Sequence, residues 1–331
     1  MSSDYLPRLR RELLRAGETT HVRRRRPGLA RGLAPLAAAT AALAAIVVVG
    51  VLASPAGQSD ETAIQRAADG ASLTYRVAPA SAAAAEQTAK VMRARLAAMG
   101  IDDAHVSVSA GGASLTVAAP ASARADVSAL TQRGRVAFYD WERSVLGPGG
   151  TPAPADESVT GGPDAGHAAG LTRPEAEARA ARVPGAHVVR APDFAGDSWF
   201  VLGGEPGVSD ADIARARPSS DPRTHEPIVL LEFTGPGETA FTAMTQDVAR
   251  RGADRAADGA SALEANQHFA IVIDDQIVAV PYIEFGMAPG GLSGADGAQI
   301  LGGLTEREAR AMAAIVTTGP LPAELSSPTR P

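Results

Sequence analysis

Few side chains in this sequence could do covalent or metal chemistry, and their spacing gives them no such role. The six histidines are His21, His105, His167, His187, His225 and His268, and none stands three or four residues from another. No helical face therefore presents an imidazole pair to a metal. Cysteine is absent, which excludes disulfides, thiolate metal sites, a cysteine nucleophile and a lipidated-cysteine anchor. Asp274-Asp275 has the form of an acid pair, but it sits with Gln276 between two apolar runs. It reads as a hairpin turn, where Asp is favoured for its local hydrogen bonding. Gly290-Gly291 and Gly302-Gly303 lack the lysine and the strand-loop-helix frame of a phosphate loop. No serine lies in a Gly-x-Ser-x-Gly elbow. The expectation is no catalytic residue, no cofactor and no metal. Binding remains, and the candidate polypeptide contact is Trp199 with Phe200. These adjacent aromatics in a weakly patterned stretch either line an apolar cleft for unfolded chain or, more plainly, fill a small core.

Charge narrows the partners. The net charge of −6 hides an asymmetry: residues 1–33 hold nine arginines against Asp4, Glu12 and Glu18, a net +6, which leaves −12 for the remainder. So acidic a remainder is a poor surface for nucleic acid, which needs its phosphates neutralised. A chain of 331 residues, 45% of them hydrophobic, is long and apolar enough for two or three packed units.

No charged residue lies between Arg31 and Asp60. The apolar segment 34–53, with Leu36, Leu43, Ile46, Val47, Val48, Val49 and Leu52, matches the roughly 20 residues needed to cross a bilayer as a helix. Arg23–Arg26 and Arg31 flank its N-terminal side, which predicts a cytoplasmic N-terminus and an extracytoplasmic remainder. The expected topology is thus an Arg-rich cytoplasmic stub (1–33), a single plasma-membrane span (34–53) and a small polar stalk (54–71). A cleaved signal peptide is the competing reading, since Val51-Leu52-Ala53 resembles a cleavage site, but the apolar run exceeds the usual length.

The elements that would position any binding surface follow from hydrophobic periodicity. Leu73, Tyr75 and Val77 alternate with polar residues as in a half-buried strand, and Ala85, Ala89, Met92, Leu96 and Met99 recur at helical spacing. Val106 and Val108, then Leu115 and Val117, form two strands about a Gly111-Gly112 turn. A helix through Val127 and Leu130 and a strand through Val136, Phe138 and Tyr139 follow. The order β-α-β-β-α-β over 72–142 predicts a ferredoxin-like unit, and the overall class is α+β. Residues 143–226 read as linker and weakly patterned insert, with capping boxes at Thr172/Glu175 and Ser209/Asp212. Over 227–322 a second α/β unit is expected. It has a central strand Ile228–Phe233, a helix striped by Phe241, Met244 and Val248, and a polar loop from Arg250 to Asn266. A hairpin around Asp274-Asp275 follows, then a last helix capped by Thr305 and Glu308 with a stripe of Ala309, Met312, Ala313 and Val316. Residues 323–331 form a tail.

On these residues the chain resembles the SecD family of protein-export membrane proteins. The stretch EQTAKVMRARLAAMGIDDAHVSVSAGGASLTVAAP (Glu86–Pro120) resembles the opening of the family's first large extracytoplasmic domain, with Arg95, Gly100 and Pro120 at matching places. PIVLLEFTGPGETAFTAMT, FAIVIDDQIVAVPYI and AQILGGLTEREARAMAAIVTTGPLPA resemble, in order, its strand and helix, its hairpin and its Gly-x-Leu-Pro ending. The ordered match over 227–322 resembles the head of that domain. In the family a bundle of membrane helices follows, which couples proton flow to export; the sequence given ends at Pro331, so proton-driven work is not part of the expectation. The resemblance implies a non-enzymatic extracytoplasmic domain that meets unfolded polypeptide or translocase components at the membrane. The alternative is a structural or signalling envelope protein that reuses the fold, with a cytoplasmic partner at the Arg-rich stub.

Overall fold

In the computed structural model the described residues are 71–152, 170–191, 198–222, 224–261, 265–301 and 304–326. The expected stub, the anchor residues Leu36, Leu43, Ile46, Val47, Val48, Val49 and Leu52, and the stalk up to residue 70 lie outside them. Among the described residues no helix is long and apolar enough to cross a membrane.

Strand β1 (Ala71–Ala78) buries Leu73, Tyr75 and Val77 and turns Ser72 and Arg76 to water, the period of two that a one-sided strand requires. Ser81 caps helix α1 (Ala82–Ala98), which buries Ala85, Ala89, Met92 and Leu96. Gly100, at φ 71°, ends it in the left-handed region that favours glycine. Strands β2 (His105–Val108) and β3 (Ser114–Ala119) pair antiparallel, and helix α2 (Arg124–Leu130) adds Val127 and Leu130 to the same core.

Strand β4 (Val136–Asp140) leads into the one-turn helix α3 (Trp141–Ser144), where the Asp140 side chain accepts from the Arg143 N–H. Helix α4 (Arg173–Ala180) opens on its expected box: the Glu175 carboxylate accepts from both the N–H and the hydroxyl of Thr172. Then come β5 (His187–Ala191), β6 (Ser198–Leu202) and β7 (Val208–Ser209). The Ser209/Asp212 box caps a single 3-10 turn before β8 (Ile213–Ser220). Strand β9 (Pro227–Phe233) feeds helix α5 (Gly235–Ala257), capped by Thr234. The polar loop expected from Arg250 is thus still helix for two turns. Past Arg250 its buried residue is Gly252, which has no side chain to extend the apolar stripe. Strands β10 (Gln267–Ile273), β11 (Gln276–Ala279), β12 (Tyr282–Ile283) and β13 (Ala298–Ile300), helix α6 (Glu306–Thr318) and β14 (Glu324–Leu325) complete the chain.

The sheets correct one expectation. The first runs β14-β1-β3-β2, the second β6-β5-β11-β10-β4-β7 with β12 also on β10, and the third β13-β9-β8. Strand β4 therefore leaves the unit expected over 72–142, and the place beside β1 goes to β14, which pairs Val77 with Leu325. The cause is burial on both faces. Phe138 packs into one core and Tyr139 into another, so β4 needs a central position between two covered faces. It finds one against β10, pairing Ile271 with Phe138.

Helix α6 serves two cores. Ala309, Ala313 and Val316 face the second, as the stripe predicted, with Met312 half-buried beside them. Ala311, Ala314 and Ile315 face the first. The second core centres on Phe138, which lies 6.0 Å from Phe233, 5.9 Å from Phe241 and 6.2 Å from Phe269 between ring centroids.

Candidate functional site

Trp199 and Phe200 stand next to each other on β6, and a strand sends neighbours to opposite faces. Phe200 is 4% exposed and meets Trp141 edge-on with centroids 5.3 Å apart. It belongs to the core that also holds Val189 and Leu202. Trp199 points the other way, into a smaller cluster with buried Leu146, Ala176 and Val201. That cluster is incompletely covered: Leu171, Val183, Val188 and Trp199 itself remain half-buried. The pair thus divides between a core and a partly open apolar face, and only Trp199 is on the latter.

Cations frame Trp199. The Arg173 guanidinium, carried by α4, lies 5.3 Å from the ring centroid, a cation–π distance. Glu177 holds Arg173 from the side, with Nε 2.7 Å from its carboxylate. Across the ladder, Arg190 of β5 is the direct partner of Trp199, so their side chains share a face. The outer edge of β6 is closed at this point, since Trp199 and Leu171 exchange main-chain hydrogen bonds of 2.9 and 3.0 Å.

Two buried polar clusters went unread in the sequence. In the first, Glu142 on α3 accepts from the His268 main-chain N–H at 2.9 Å to both oxygens and contacts His268 Nδ1 at 2.7 Å. Beside it Arg251 Nη2 donates to Asp140 at 2.7 Å. Burial raises the Asp140 pKa above its ordinary value; Arg251 pulls it down and Glu142 pushes it up again. The carboxylates are engaged in fastening α3 to β10 and α5. Because 126 residues separate Glu142 from His268, no spacing rule could have paired them.

The second cluster surrounds Arg95, which is fully buried on α1. Its Nη1 donates to the carbonyls of Leu130 at 2.6 Å and of Gln132. Nη2 donates to Arg133 at 3.0 Å and Gly319 at 2.8 Å, and Nε to the Thr318 hydroxyl at 3.2 Å. All five donors are used, on the carbonyl-rich ends of α2 and α6, where a cation is favoured. Burial lowers its pKa to about 10, with Asp274 acting in the opposite direction, so it stays charged at neutral pH.

Asp274 and Asp275 occupy the hairpin turn as expected, at φ 49° and 62°. Asp274 also accepts from the main-chain N–H groups of Gly134 and Arg135 at 2.7–2.8 Å. Among the described residues no group of three or more His, Asp or Glu side chains is placed to hold a metal.

Residues 186–323 match the family model described as the SecDF P1 head subdomain. That segment runs from the start of β5 to just before β14, and so includes both Trp199 and Phe200. No curated relative matches. Two solved structures are similar at 20% identity over 78% of this chain. One is SecDF in a super-membrane-facing form, TM-score 0.48. The other is SecDF described as a membrane component that enhances protein export, TM-score 0.46. The chain spans 29% of the length of the first and 97% of the second.

Proposed function

We propose, from the premise that residues 186–323 are a SecD-family head subdomain, that this chain is a membrane-anchored extracytoplasmic protein that binds translocating or unfolded polypeptide without catalysing a reaction. The family match over that segment carries the reading. The half-buried apolar face around Trp199, which lies inside the matched segment while Leu146, Leu171, Ala176 and Val183 precede it, supplies the contact. The anchor is the apolar segment 34–53 with its arginine flank, which sets the N-terminus in the cytoplasm. The binding is taken as passive holding or biasing, in roughly the micromolar range for a modest apolar patch.

The test is a photo-crosslinker placed at position 199 in cells that secrete a stalled precursor. The precursor should crosslink there and not at exposed Arg217 on β8. Crosslinking only to a folded envelope protein would favour the structural or signalling role instead. Protease added to intact cells should remove a C-terminal tag, and full protection would refute the topology.

A further inference from the structure

We infer that the buried Glu142–His268 contact is a proton-responsive fastener that sets how firmly α3 holds the strand bearing Trp199 and Phe200. The inference does not depend on what binds at that strand. Two sides of the structure meet at α3. On one, both Glu142 oxygens accept from the His268 main-chain N–H at 2.9 Å, and Oε1 lies 2.7 Å from Nδ1. On the other, Trp141 meets Phe200 edge-on at 5.3 Å. There the Leu146 N–H donates to Val201 at 2.8 Å and the Gly203 N–H to Ser144 at 2.7 Å. Leu146 then enters the apolar cluster that Trp199 packs against. The helix is only Trp141–Ser144, so what holds its β10 side also steadies its β6 side.

The contact has two charge states. An ionised carboxylate only accepts, so Nδ1 turns its hydrogen to Glu142 and Nε2 is left to take a second proton. Histidine is the side chain whose charge ordinarily changes between pH 5 and 8. The His268 and Glu142 side chains are 11% and 6% exposed, and a hydrogen bond between ions is stronger than one from a neutral donor. The neighbouring cations are themselves engaged. Arg251 of α5 is paired with Asp140 of β4 at 2.7 Å, Arg143 with Asp247 at 3.7 Å, and Arg255 of α5 also has a partner. From β12 the Tyr282 ring stands edge-on to the imidazole, with centroids 6.2 Å apart. Acidification therefore tightens α3 against β10.

Hydrogen exchange on the purified full-length chain tests this, at about pH 7.5 and about pH 5.5, on either side of the ordinary histidine range, with the intrinsic rate corrected for. Protection of the Leu146 and Gly203 amides should rise about fivefold on acidification, the scale by which a charged hydrogen bond exceeds a neutral one. The Val77 amide, held by Ala113 at 2.9 Å in the first sheet, should change less than about twofold, because local openings differ across a structure. His268→Gln and, independently, Glu142→Gln should each abolish the rise. Its persistence in His268→Gln would assign the proton to Asp140, whose pKa burial raises above its ordinary value, and overturn the inference. Unchanged or falling protection at Leu146 and Gly203 in the wild type overturns it without any variant, so a variant that fails to fold leaves the test standing.

Discussion

Replacing Arg95 by methionine should cost about 3–5 kcal/mol of folding stability. Methionine fills a similar volume, so the loss comes from polar groups and not from a cavity. Three carbonyls, those of Leu130, Gln132 and Gly319, would lose their donor, while that of Arg133 keeps the Leu321 N–H at 2.7 Å. A buried acceptor left unsatisfied costs roughly 1–3 kcal/mol, and water can reach some of the three, so about 4–8 kcal/mol is the gross loss. Against this, the variant no longer has to bury a charge; the lowering of the Arg95 pKa to about 10 is the signature of that opposing cost. The remainder is a large part of the roughly 5–15 kcal/mol that holds a domain together. Urea unfolding of the full-length chain, followed by far-UV circular dichroism, measures it. Arg95→Lys should fall between wild type and Arg95→Met, because it keeps the charge but has three donors for five acceptors. A loss below about 1 kcal/mol for Arg95→Met would show that the ends of α2 and α6 do not depend on this guanidinium.

Acidification should favour the wild type over Asp140→Asn. Burial raises the folded-state pKa of Asp140 above its ordinary 3.8, so the folded protein takes up this proton more readily than the unfolded chain, and stability rises as pH falls through that range. The wild-type Tm minus the variant Tm should therefore grow between about pH 7 and pH 4.5, and a shrinking gap rejects the assignment. Thr305→Ala removes the hydroxyl that accepts from the Glu308 N–H but keeps the main-chain N–H that donates to the Glu308 carboxylate, and should cost about 1 kcal/mol in urea; no change would mean that the hydroxyl half of the cap contributes nothing to α6. Gly294→Ala would set a methyl carbon 2.2 Å from the Glu238 carbonyl, and the shift required should cost about 1–3 kcal/mol. Hydrogen exchange should quicken at the Gly294 amide, which Thr242 now holds at 2.9 Å, and unaltered protection there would argue against the close approach.

The sequence alone determined what depends on near neighbours. Alternation at Leu73, Tyr75 and Val77 states a one-sided strand, and the boxes at Thr172 and Thr305 satisfy amides three residues away. Asp274-Asp275 marks its own turn. The resemblance in 227–322, read from ordered motifs, falls wholly within the matched head subdomain, which begins earlier, at residue 186. Tertiary structure decided the choices between equivalent local options. Any apolar strand can pair with β1; β4 does not, because both its faces must be covered, and β14 takes the place from the other end of the chain. Arg95 reads locally as one polar residue on the buried side of a helix, and only the meeting of Leu130–Arg133 with Thr318–Gly319 gives its five donors partners. Glu142 and His268 likewise become a pair only when α3 packs on β10. Hydrogen bonds within a turn or a cap are fixed by residues a few positions apart, so they can be read in order along the chain. Which surfaces cover one another depends on all the burial in the molecule at once, and that is settled only when the whole chain packs.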